Sequence, residues 1–191
     1  MKNTNKWTLR DAILLAMIGI IFSVIYFLMD PVYQVLTGAF AAVGLQAFTG
    51  SFTIGVWMMA GPLAAYILKK PGTALLAEMI GAAGEMFMGG YWGVATLLSG
   101  LIQGAGSEVG FTLTGYKNWK TGLWLSTLTG TVVTFIWNLY HSGYVNYSIP
   151  MMAALFVVRY LSIFFFGGVL VNWIEKLLDR SHFMSPVDEA E

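Results

Sequence analysis

Apolar residues run along this chain in stretches too long and too uniform for the faces of soluble helices. A membrane span needs about 20 mostly apolar residues. Residues 10–29, 52–69, 72–89, 92–115, 121–142 and 149–177 meet or approach that length, and most polar positions fall between them. The pattern predicts an all-α, polytopic membrane protein with six transmembrane helices, and 1–191 reads as a single integral membrane domain. Residues 34–48 are also apolar, but they are short, interrupted by Gly38 and Gly44, and preceded by Asp30-Pro31. They are expected to form an additional short helical segment within the first outer loop.

Charge supports the same count. Only 10% of the residues are charged and the mean hydropathy is +0.69, whereas a soluble domain carries about 25% charged residues. With six spans, Lys2, Lys6, Arg10, Lys69, Lys70, Lys117, Lys120, Lys176 and Arg180 fall on one side, and the opposite loops 30–51, 89–92 and 142–148 hold no Lys or Arg. That asymmetry predicts both termini in the cytoplasm of a plasma-membrane protein. A seventh span over 34–48 would place the three N-terminal positives opposite the other six. The positives before residues 12–29 resemble a signal peptide, but no small-residue cleavage site follows, so this stretch is expected to remain as the first span.

The polar residues inside the spans carry the candidate chemistry. In PGTALLAEMIGAAGEMFMGGYW (71–92), Glu78 and Glu85 fall about 20° apart around a helix and share one face with Gly81, Ala82 and Gly89. Unpaired carboxylates in a bilayer cost several kcal/mol, so both should face protein, a cavity or a bound cation. Arg159 lies inside the last span at roughly the depth of Glu78, counted at about 1.5 Å per residue. A structural ion pair between Glu78 and Arg159 is expected on that ground. Glu85 lies nearer the outer end, with Trp57, Asn138, His141, Tyr91 and Trp92 at similar depth. A carboxylate ringed by aromatics suits a flat cationic heterocycle. An aromatic belt at the membrane surface is the simpler reading of Tyr91 and Trp92. For Glu108, deeper in the fourth span, the sequence leaves open an internal pairing, a cavity floor or a partner contact.

Several classes are excluded or weakened. The net charge of +0 offers no basic face to nucleic acid. There are no cysteines, hence no disulfides or thiolate metal sites. No P-loop, H-E-x-x-H or G-x-S-x-G motif is present, and neither a cofactor, a metal nor catalysis by this chain is expected. Glu78 and Glu85 stand about 10 Å apart along a helix, too far to act as acid and base on one bond. What remains is a small binding subunit that borrows its motor, or a non-transporting assembly or sensor protein packing through its glycine faces.

Ala12-xxx-Ala16 forms a small-residue notch on the first span, and MMAGPLAAYI contains Gly61-Pro62 in a GPL segment. With the six spans and the long first outer loop, these features resemble the substrate-binding S components of energy-coupling-factor (ECF) vitamin transporters. LLAEMIGAAGEMFMGGYWG (75–93) is most similar to the thiamin type. The resemblance implies an ABC importer subunit that binds thiamin or its hydroxymethylpyrimidine precursor, or else another vitamin. It implies a transmembrane coupling subunit and ATPase subunits as partners, with docking through Ala12 and Ala16. It also implies that the subunit topples in the bilayer during transport.

Overall fold

The computed structural model describes residues 6–180; Lys2, counted above among the basic residues, lies outside them. All regular structure among the described residues is helical and forms six rods, with a short 3-10 turn (Tyr144–Asn146) between the last two. The first is α1 (Leu9–Ala41) and the second is α2 (Phe48–Trp57) followed by α3 (Ala60–Leu68). Then come α4 (Thr73–Phe87), α5 (Ala95–Leu113) and α6 (Trp119–His141). The last rod runs from α7 (Ile149–Ile163) through a π-helical stretch (Phe164–Leu170) into α8 (Val171–Arg180). Leu9–Ala41, Phe48–Leu68 and Ile149–Arg180 are long and apolar enough to cross a membrane by length and composition. The other three are shorter or less apolar, because they carry much of the Gly, Thr, Ser and Glu of the interior.

α1 begins in a capping box, with Thr8 N–H donating to Asp11 (2.9 Å) and Asp11 N–H to Thr8 Oγ1 (3.2 Å). Asp11 also meets Lys70 Nζ at 3.5 Å, tying the start of α1 to the α3–α4 connection. The separate helix expected over 34–48 is not formed: α1 continues unbroken through Pro31 to Ala41, and the chain turns at 42–47 before α2. A proline inside a helix removes one N–H and crowds the carbonyl four residues back, and Asp30-Pro31 reads as a stop on that ground. Here Asp30 is buried and its Oδ2 accepts from Tyr91 N–H at 2.8 Å, which fixes the helix through the proline to the loop after α4.

A buried carboxylate, Glu78, and a half-buried one, Glu108, hold two helix starts. Glu78 accepts from Gly61 N–H (2.7 Å), in the first turn of α3, and from the Tyr26 hydroxyl (2.7 Å), which itself accepts from Ala60 N–H (3.2 Å). Glu108 accepts from the N–H groups of Gly72 (2.7 Å), Ala74 (2.9 Å) and Leu75 (3.3 Å) at the start of α4, and from the Tyr116 hydroxyl (2.8 Å). The first N–H groups of a helix lack intrahelical partners and carry its positive dipole end. An acid from a neighbouring helix satisfies both, so Glu108 is a cap for α4, the internal role among the three left open.

The expected Glu78–Arg159 ion pair is therefore corrected. Both Glu78 oxygens are taken by α1 and α3, and Arg159 Nε, Nη1 and Nη2 close no hydrogen bond of ordinary geometry. Equal depth brought the two residues together in the sequence reading, but α4 packs on α1, α3 and α5, whereas α7 packs on α2 and α6.

α5 sits between α4 and α6 and needs its glycines. A Cβ on Gly100 would meet the Ala82 side chain, and one on Gly110 would strike the Ser126 backbone. The two small-residue faces of α5 are thus spent on contacts within the chain. On α1, by contrast, Ile13, Met17, Ile20, Ile21, Val24 and Leu28 are exposed, a surface suited to lipid.

Candidate functional site

At the end of the bundle away from Lys69 and Lys70, the rods enclose a cavity of about 790 Å³. That volume lies within the usual range for small-molecule sites. Its walls come from the second half of α1, the length of α2, the end of α4, the start of α5, the end of α6 and α7, with the turn at 42–47 and residues 142–151 also lining it.

Each wall contributes a recognisable chemistry. Tyr33, Trp57 and Trp92 form an aromatic cluster, with centroids 5.0 Å apart for Tyr33–Trp92, 5.5 Å for Trp57–Trp92 and 6.0 Å for Tyr33–Trp57, all edge to face. Glu85 stands beside them, 1% exposed, facing the Asp30 carboxyl and the Trp57 indole N–H, although neither its oxygens nor that N–H closes a hydrogen bond of ordinary geometry. Asp30 keeps one oxygen on Tyr91 N–H and leaves Oδ1 without a partner. On α6, Thr134, Asn138 and His141 face the cavity, and His141 stacks on Trp137 at 5.1 Å and 21°. Arg159 closes another wall, fully buried, its guanidinium 5.8 Å from the Phe135 ring and 5.9 Å from the Tyr144 ring.

Of the residues singled out in the sequence, Glu85, Trp57, Trp92, Asn138 and His141 line this cavity. Tyr91 does not: its side chain is 64% exposed, its ring leans on Trp92, and it contributes through the backbone N–H that holds Asp30. The threonines below Asn138 serve their own helix, since Thr127, Thr131 and Thr134 all donate to carbonyls one turn back. Ala12 is exposed and Ala16 half-buried, so the notch on α1 is not consumed inside the chain.

Sequence reasoning missed other lining residues. Thr96, Ser99 and Gln103 lie along one face of α5; their spacing of three and four is a helical stripe that the sequence did contain. Tyr33, Thr37 and Gln46 line the opposite wall. A sequence pattern that makes 30–51 a loop with a detached helix conceals them. Arg159 stands out in the sequence, but its depth points to Glu78 rather than to the cavity.

An unsatisfied carboxylate beside three aromatic rings can receive a cation through charge and cation–π attraction. Hydroxyl, amide and imidazole groups on α5 and α6 can fix the orientation of a planar polar ligand.

Residues 10–136 match a family described as "ABC-type cobalt transport system, permease component". YkoE of Bacillus subtilis (strain 168), which is named as an HMP/thiamine permease protein, is 31% identical over 177 residues, covering 92% of this chain and 84% of that protein. A solved structure described as an S-component of an ECF transporter superposes with a TM-score of 0.83 at 27% identity, over 94% of this chain and 89% of that one. The chain belongs to this family of ABC-type transport components, as a multi-pass membrane protein and the substrate-binding S component of an ECF transporter.

Proposed function

We propose that this S component captures thiamin or its hydroxymethylpyrimidine moiety from outside the cell for ATP-driven uptake. The observation that carries the reading is Glu85: a buried carboxylate with neither oxygen closing a hydrogen bond, set against Tyr33, Trp57 and Trp92 in a cavity of about 790 Å³. A cationic thiazolium or an aminopyrimidine is the kind of group that such a wall attracts. The name carried by YkoE, an HMP/thiamine permease, favours the same choice. Asn138 and His141 then bond ring nitrogens or the hydroxyl, and Trp57 and Trp92 contact the rings.

In this reading the whole chain is one membrane domain with both termini in the cytoplasm. The support is the distribution of Lys and Arg, which leaves 42–47, 88–94 and 142–148 without a positive charge. Ala12 and Ala16 receive the coupling subunit, ATPase subunits supply the energy, and no reaction takes place on the substrate. Calorimetry of the purified chain with thiamin and with hydroxymethylpyrimidine tests the assignment. One-to-one binding that is lost in Glu85→Gln is expected. Absence of binding to both compounds, with another vitamin bound instead, overturns the substrate and leaves the family untouched.

A further inference from the structure

Arg159 is the one permanently charged cation within the described transmembrane rods away from their ends, and its position is costly. It is wholly buried on α7, and none of its three guanidinium nitrogens closes a hydrogen bond of ordinary geometry, although the Tyr144 side chain lies beside it. The acids that could neutralise it are engaged elsewhere or stand on other walls. Glu78 is bonded to Tyr26 and Gly61, Glu108 caps α4, Asp30 holds Tyr91, and Glu85 projects from α4, which packs on α1, α3 and α5 rather than on α7. The faces of Phe135 and Tyr144 offset only a fraction of the cost of desolvating a guanidinium. A guanidinium does not escape by losing its proton. It does, however, line the cavity.

We propose that Arg159 is a second ligand anchor, donating its planar fork to a hydrogen-bond acceptor or anionic group of the bound molecule. The cavity then has two poles, a carboxylate wall at Glu85 and a guanidinium wall at Arg159. It selects ligands with a cationic or amino-bearing ring at one end and an acceptor at the other. Neutral acceptors (a ring nitrogen, a hydroxyl oxygen) and a phosphoryl group share this chemistry. The inference rests on the cavity being the ligand site, as proposed above.

The test combines ligand affinity with stability of the ligand-free protein, for wild type, Arg159→Met and Arg159→Lys. The probes are thiamin, hydroxymethylpyrimidine and thiamin monophosphate. An anchor that closes no hydrogen bond in the empty protein does not stabilise it, so Arg159→Met should melt at the wild-type temperature or above. The same variant should bind at least tenfold more weakly, and Arg159→Lys, which keeps charge but not the fork, should fall between. A similar loss for thiamin and hydroxymethylpyrimidine assigns a neutral acceptor on the pyrimidine side. A larger loss for the monophosphate assigns an anionic group. Wild-type affinity in a folded Arg159→Met overturns the proposal, and so does a variant that melts lower or fails to fold, since either makes the guanidinium part of the scaffold. If wild type binds none of the probes, the substrate reading has failed. The melting temperature of ligand-free Arg159→Met then still decides between anchor and scaffold.

Discussion

Glu78 and Glu85 lie two turns apart on the same face of α4, both buried, yet they meet opposite surroundings. Glu78 is enclosed by Tyr26 and the first turn of α3, and both of its oxygens accept hydrogen bonds. Glu85 has neither oxygen bonded and borders the cavity with Trp57 and Trp92. The first carboxylate completes the fold and the second is left for something else to complete. A buried polar group is expensive only while unmatched, so where the match comes from separates scaffold from site.

Removing Glu78 should break the scaffold side of this contrast with the largest effect. Glu78→Ala leaves Gly61 N–H and the Tyr26 hydroxyl without their acceptor, a loss of about 4 kcal/mol for two bonds to a buried carboxylate. Thermal melting of the purified protein should show a large drop, while the fraction that stays folded still binds ligand. A fall in affinity without a fall in melting temperature would move Glu78 into the site.

Glu108→Ala removes the acceptor for three N–H groups at the start of α4 and should cost about 3 kcal/mol. Glu108→Gln, which keeps an acceptor, should recover part of that loss in the same melting measurement. Equal destabilisation by both would mean that charge at the helix start matters more than the bonds.

On the site side, Glu85→Gln should leave the melting temperature of the ligand-free protein unchanged or raised. It should weaken thiamin binding by about 2 kcal/mol, the scale of a charge-assisted contact. Calorimetry on the folded variant provides the comparison, and wild-type affinity would take Glu85 out of the site.

The smallest effect on the isolated protein is expected at the α1 notch. Ala16→Leu should change stability and ligand affinity by less than about 0.5 kcal/mol, as for a surface substitution. The same change should abolish co-purification with the coupling subunits, because a leucine holds a neighbouring helix off. Retained assembly would place the docking surface elsewhere.

By itself the sequence determined the class of the protein and the kind of chemistry it carries. Long apolar runs separated by short polar loops require membrane helices, and few ionisable residues within such runs escape being structural anchors or site groups. Glu85, Trp57, Trp92, Asn138 and His141 were legible as one constellation toward one end of the bundle because depth along a span can be counted at a fixed rise per residue. Rotation and neighbour choice cannot be counted in that way. Tyr26 reaches Glu78 from 52 positions away, and Arg159 at a similar depth does not, because α7 stands against α2 and α6 instead of α4. Likewise Pro31 breaks a helix by local rules, yet α1 passes through it once Asp30 is secured by Tyr91. Which buried group is matched and which is left open depends on contacts between distant segments, and only the tertiary structure decided that.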